Sequence, residues 1–117
     1  MSQAEHDRRI DYIEFPATDA LGTRRFYERV FGWKFEDYGP DYQSFVDGRI
    51  AGGFSKERKV AAGAGALVVL YAVDLELVQS TIKKEGGRIV KDIFPFPGGR
   101  RFHFTDPSGN ELAVWSE

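Results

Sequence analysis

With 117 residues, no cysteine and a formal charge of −2 from 16 basic and 18 acidic side chains, the chain has room for one domain with a real core. The missing cysteines exclude a disulfide scaffold, a thiolate zinc site and a Cys nucleophile. The charges are mixed along the chain, so no dedicated nucleic-acid surface is expected. The longest apolar run, Ala64–Val73, is too short to span a membrane.

Residues 1–8 read as a frayed leader, too polar for a secretory signal, and a cytoplasmic location is expected. Ile10–Phe15 alternates weakly and stops at Pro16, as a strand does. Asp19 is placed to cap a helix through Phe31, with Phe26/Val30 and Tyr27/Phe31 at i,i+4 spacing and Gly32 as the stop. Trp33–Tyr38 and Tyr42–Val46 read as a hairpin around Gly39–Pro40, followed by a glycine-weakened strand, Ile50–Ser55. Lys56–Gly65 reads as a connector whose Lys56–Lys59 run is solvated.

The same grammar then starts again. Ala66–Val73 is a continuous apolar strand, and Asp74 caps a helix with a Leu75, Val78, Ile82 stripe that ends at Gly86 or Gly87. Arg88–Phe94, a Pro95–Gly99 turn, Arg100–Thr105, an Asp106–Asn110 turn and Glu111–Trp115 complete the pattern. The reading is α+β: two βαβββ modules paired into one domain over residues 9–116 (module one 9–55, linker 56–65, module two 66–116). Their sheets are expected to curve around a concave cavity.

Tyr12-Ile-Glu-Phe-Pro16, Asp19 and Phe26-Tyr27-x-x-Val30-Phe31-Gly32-Trp33, followed by Val73-Asp74, Gly86-Gly87 and Asp106-Pro-Ser-Gly-Asn110, resemble the two modules of the vicinal oxygen chelate superfamily. That superfamily includes glyoxalase I, bleomycin and fosfomycin resistance proteins and extradiol dioxygenases. The resemblance covers residues 10–116 and implies a paired-module, glyoxalase-like fold. It also implies a divalent metal held by His, Glu or Gln from the first and last strands of each module. Carried over by distance, those positions fall on Tyr12, Val68, Ala113 and the Gly52–Phe54 region. A neutral phenol is a poor ligand and the others offer no donor, so no metal or other cofactor is expected unless a partner chain supplies ligands.

Strand alternation from Tyr12 turns Glu14 inward with it, and Ile13 and Phe15 toward the helix. The same matching turns Arg101 and His103 inward, with Val68, Leu70, Ala113 and Trp115 as further lining. Tyr12, Glu14, Val68, Leu70, Arg101, His103 and Trp115 are therefore the candidate ligand-binding residues, and Glu14 and His103 the candidate acid–base pair. Each also has a structural role open to it: Glu14 as a carboxylate satisfied by Arg101 or the backbone, His103 and Trp115 as packing. His6 falls in the leader.

The leading expectation is a protein that binds a small apolar or aromatic molecule without the family's usual metal, as antibiotic-sequestering relatives do. The alternative is a lyase or isomerase of the glyoxalase type using Glu14 and His103; a third reading is an accessory domain whose role is protein contact. Relatives of this size imply a homodimer, with modules swapped or not; neither nucleic acid nor membrane is an expected partner.

Overall fold

A computed structural model describes residues 3–117; the first two residues of the expected leader lie outside them. After a short 3-10 turn at Gln3–His6, the chain forms β1 (Tyr12–Pro16), α1 (Ala20–Phe31), β2 (Lys34–Asp37), β3 (Tyr42–Val46) and β4 (Ala51–Ser55). It then forms β5 (Val68–Tyr71), α2 (Leu75–Lys84), β6 (Arg88–Phe96), β7 (Gly99–Thr105) and β8 (Glu111–Ser116). The fold is α+β, two βαβββ modules. The strand orders, β1-β4-β3-β2 and β5-β8-β7-β6, are equivalent, and β1–β4 and β5–β8 are the parallel pairs.

Both helices begin where a carboxylate can serve an otherwise unpaired amide. Asp19 accepts from the Gly22 amide and Asp74 from the Leu77 amide, each at 3.0 Å. α1 stops at Gly32, whose φ of 72° is left-handed backbone that only glycine adopts without strain.

The modules meet on their helical sides. One core contains Phe15, Phe45 and Phe54 from the first sheet and Phe102, Phe104, Leu112 and Val114 from the second. Phe26 and Phe31 of α1 reach Phe104 at ring separations of 6.0 and 6.1 Å. Tyr27, fully buried, stacks on Trp33 and Phe54 and gives its hydroxyl to Asp106 at 3.0 Å. The Asp106–Asn110 turn is thereby tied to module one. Ser108 Oγ lies 2.6 Å from Thr23 Oγ1, and the Asn110 side-chain amide donates to the Pro16 carbonyl at 2.8 Å. The two sequence strings that carried the resemblance thus bind each other across the module interface.

Because the helical sides share the core, the opposite face of each sheet is open. Among the described residues no strand of one sheet runs alongside a strand of the other, so β1 and β5 lie at sheet edges. No helix among the described residues is long and apolar enough to cross a membrane.

Candidate functional site

On the first sheet the open face carries Tyr12 and Glu14, while Ile13 and Phe15 pack the core. Glu14 accepts a hydrogen bond from the Tyr42 hydroxyl at 3.0 Å, and the Tyr12 and Tyr42 hydroxyls are bonded to each other. Gly53 makes room for that pair: a Cβ there would stand 2.2 Å from the Tyr42 hydroxyl and 2.8 Å from that of Tyr12. Burial, the bond to Tyr12 and the bond to Glu14 push the Tyr42 phenol well above its ordinary pKa. It is therefore a neutral hydrogen-bond donor through the physiological range.

On the second sheet the register puts Val69, Ala113 and His103 in one row and Tyr71, Trp115 and Arg101 in the next. Val68 and Leu70 therefore do not face out with Ala113 and Trp115, as the alternation was expected to place them. They pack against the core, Val68 also reaching a cavity rim, and Val69 and Tyr71 take the open positions. The correction is a slip of one residue, which exchanges the two faces of a strand. Ala66–Val73 is apolar throughout, so its sequence holds no alternation from which the parity can be read.

Val69 stands to Ala113 as Glu14 stands to Gly53, so the position equivalent to Tyr12 in module two is Leu67, just before β5, instead of Val68. With Gly53 as the open-face residue in the Gly52–Phe54 region, the family's metal positions hold Tyr12, Gly53, Leu67 and Ala113. This donor set does not fit a divalent ion: one neutral phenol, already bonded to Tyr42, and three residues with no donor in the side chain. Among the described residues no group of three or more His, Asp or Glu side chains is placed to hold a metal ion.

The sequence candidates divide between two cavities. The larger, about 490 Å³, lies between the β1 edge, the connector and the start of β8; Glu14, Val68 and His103 line it with Arg58, Lys59 and Glu111. The smaller, about 250 Å³, is lined by Val69, Phe96, Gly98, Arg101 and Trp115. Tyr12 and Leu70 line neither. The connector, whose Lys56–Lys59 run was expected to be solvated, has mostly exposed side chains, but Arg58, Lys59 and residues 61–65 also form one wall of the larger cavity together with Ala66 and Leu67.

Glu14 and His103 share the larger cavity, yet the direct partner of each is a different residue. His103, 8% exposed, places Nδ1 2.9 Å from a Glu111 carboxylate oxygen. Glu111 was missed, although alternation from Ala113 and Trp115 puts it on the same face of β8. No ion pair joins Glu14 to Arg101 among the described residues; the Arg101 guanidinium lies over the Phe94 and Phe96 rings, 5.4 and 5.7 Å from their centres. Tyr42 was missed as well, since its place beside Tyr12 depends on the β3–β4 register.

The family model of the Glyoxalase/Bleomycin resistance protein/Dioxygenase superfamily matches residues 9–114. A glyoxalase/bleomycin resistance protein/dioxygenase family enzyme from Burkholderia phytofirmans PsJN is 15% identical; the match covers 92% of this chain and 98% of that one, with a TM-score of 0.78. A fosfomycin resistance protein, FosX, from Mesorhizobium loti is 18% identical over 94% and 92% of the chains, with a TM-score of 0.77. Lactoylglutathione lyase from Agrobacterium tumefaciens is 18% identical over 93% of each chain, with a TM-score of 0.70. At these identities the likeness is one of fold. No curated protein matches the sequence.

Proposed function

The chain belongs to the Glyoxalase/Bleomycin resistance protein/Dioxygenase superfamily, and from that premise we propose that it binds a small apolar or aromatic molecule without the divalent metal its superfamily commonly uses. The observation that carries this reading is the donor set at the four metal positions, Tyr12, Gly53, Leu67 and Ala113, among which only a hydrogen-bonded phenol carries a polar side-chain atom. The surroundings suit an apolar ligand with a few polar handles. Trp115, Phe96 and Val69 border Arg101 in one cavity, while Ile13, Val68 and the Ala/Gly-rich connector border Glu14 and His103 in the other. Metal analysis of protein purified without chelator, followed by thermal-shift screening with small aromatic compounds, tests it. The expected result is no stoichiometric metal and stabilisation by an aromatic compound. Stoichiometric zinc, nickel, manganese or iron overturns it.

A second reading, a lyase or isomerase of the glyoxalase type, is favoured by one observation: Glu14 and His103 border the same cavity. Under it Glu14→Gln abolishes turnover; under the binding reading it changes affinity or stability alone.

The functional unit in this proposal is a homodimer in the cytoplasm. Each chain exposes tyrosines on both open faces, Tyr12 at 44% and Tyr71 at 50%, at the sheet edges. The faces differ in charge: Glu14 and Glu36 on the first, Arg101 and Lys91 on the second. A second copy therefore offers each face a complementary one. A monomeric mass by light scattering at micromolar concentration overturns this part.

A further inference from the structure

His103 is more than nine-tenths buried, and only one of its ring nitrogens is served. Nδ1 faces the Glu111 carboxylate at 2.9 Å, whereas Nε2 is buried with no hydrogen-bond partner among the described residues. A carboxylate only accepts, so Nδ1 carries the proton and, in the neutral ring, the Nε2 lone pair is left open. An unpaired buried acceptor is costly, and such groups in native proteins are commonly explained by a ligand or a catalytic role. Packing alone would be served at lower cost by an apolar residue.

The surroundings say what the open lone pair is suited to. His103 and Glu111 both line the 490 Å³ cavity, and so do two cations from the connector, Arg58 and Lys59. Other charged groups facing this region are Glu14 on β1, Lys91 opposite His103 on β6 and Arg101 two residues away on β7. A base oriented by a carboxylate, with cations in the same enclosure, matches a ligand that gives up a proton and keeps a negative oxygen.

We propose that the Glu111–His103 pair takes the proton of a weakly acidic hydroxyl, a phenol or an enol, on the molecule held in this cavity. The ligand O–H bond breaks, the proton bonds to Nε2, and the electron pair stays on oxygen as a phenolate or enolate. The imidazolium keeps its Nδ1–H on Glu111, and Arg58 and Lys59 offset the new oxyanion. Glu111 is a positioning residue: it fixes the tautomer and the orientation of the ring. This inference rests on the reading of the cavity as a small-molecule site and names the chemistry of what it holds.

The probe is 4-nitrophenol, whose absorbance reports its own ionisation, with 4-nitroanisole as the equivalent without the proton. At a pH where free 4-nitrophenol is neutral, the wild-type protein is expected to bind it as the phenolate. His103→Gln abolishes the phenolate absorbance while 4-nitroanisole still binds. Glu111→Gln lowers the bound phenolate about tenfold, the scale of one charge-assisted hydrogen bond lost. Nitrogen NMR of wild-type protein, with His6 as internal reference, is expected to find His103 as the Nδ1–H tautomer; an Nε2–H form overturns the proposal without any variant. Binding of 4-nitrophenol only as neutral phenol also overturns it and leaves the cavity reading standing. Failure of both probes to bind overturns the two together.

Discussion

The two open faces are built by the same βαβββ grammar and end with opposite chemistry. On module one, paired tyrosine hydroxyls stand over Gly53 with Glu14 as their acceptor. On module two, Arg101 lies on aromatic rings and His103 leans on Glu111, around the small residue Ala113. In both, the position from which the superfamily's last strand offers a metal ligand holds glycine or alanine. A fold is conserved by its core face, where Phe, Leu and Val must interdigitate; its open face is free to change its chemistry. The expected effects below range from the element both modules share to one that belongs to a single module's surface.

Tyr27 is that shared element, since its ring belongs to module one and its hydroxyl to the module two turn. Tyr27→Ala should cost about 3–5 kcal/mol, the range for truncating a buried aromatic. Both modules should lose structure in one transition in urea. Tyr27→Phe should cost only about 1 kcal/mol, because Asp106 Oδ2 keeps its bond from Asn110. Two separate transitions in wild-type protein would show that the interface does not couple the modules.

Gly53→Ala tests the first face alone. Its new methyl group would overlap the Tyr42 hydroxyl, so the tyrosine pair should separate at a cost of about 1–3 kcal/mol. Tyr42, held above the ordinary range by burial and by its bonds to Tyr12 and Glu14, should then titrate closer to a free phenol by ultraviolet absorbance. An unchanged titration would mean that the pair does not depend on the bare position. The packing of Arg101 and Trp115, on the other face, should be untouched.

Much of this comparison was legible in the chain, but unevenly. Asp19, Asp74 and Gly32 announced the helix ends because capping is local chemistry: an acceptor three residues before an orphan amide, a glycine where φ turns positive. β1 was legible because Pro16 and the Tyr12/Glu14 alternation fixed its parity. β5 was not, since Val68-Val-Leu-Tyr71 is apolar at every position and only pairing with β8 decides which side faces the core. The partners of the candidate site residues were out of reach for the same reason. Tyr42 reaches Glu14 across β4, and Arg101 finds Phe94 on a strand with two register shifts. Glu111 is the exception; the alternation that assigned Ala113 and Trp115 would also have assigned it.

A smaller effect separates an inner carboxylate from outer ones. Burial raises Asp106 above the usual carboxylate range, against the pull of its bonds from Asn110, Tyr27 and Ser108. Its contribution to stability is therefore fully present below the unfolded value of about 3.9 and is lost as pH rises through the folded value. Asp37 and Asp92 are lowered by side-chain bonds from Gln43 and Gln79, so their contributions lie above that unfolded value and are lost as pH falls through the folded ones. Carbon NMR of the carboxyls should find Asp106 titrating above both. Tyr27→Phe should move it higher still, since the lost hydroxyl had lowered it. A fall in that variant would contradict the assignment.

The smallest effect belongs to the outer anchor of α2. Arg100 and Glu76 form a short bidentate pair, and Arg100 holds the Glu76 carboxyl below its ordinary range. Both side chains are substantially exposed, at 42% and 62%, so water and salt screen what the geometry offers. Arg24 makes a useful contrast in α1: it is half-buried over Phe35 and serves the buried Gln43 oxygen at 2.8 Å. Arg24→Ala leaves that acceptor unpaired and should cost about 1–3 kcal/mol. Glu76→Gln should leave the urea midpoint unchanged at physiological salt. At low salt it should be slightly less stable than wild type, with the difference fading as pH falls through the lowered Glu76 value. A loss from Glu76→Gln equal to that from Arg24→Ala would mean that the two helices are anchored alike, and that the pair on module two is shielded from solvent in the working protein.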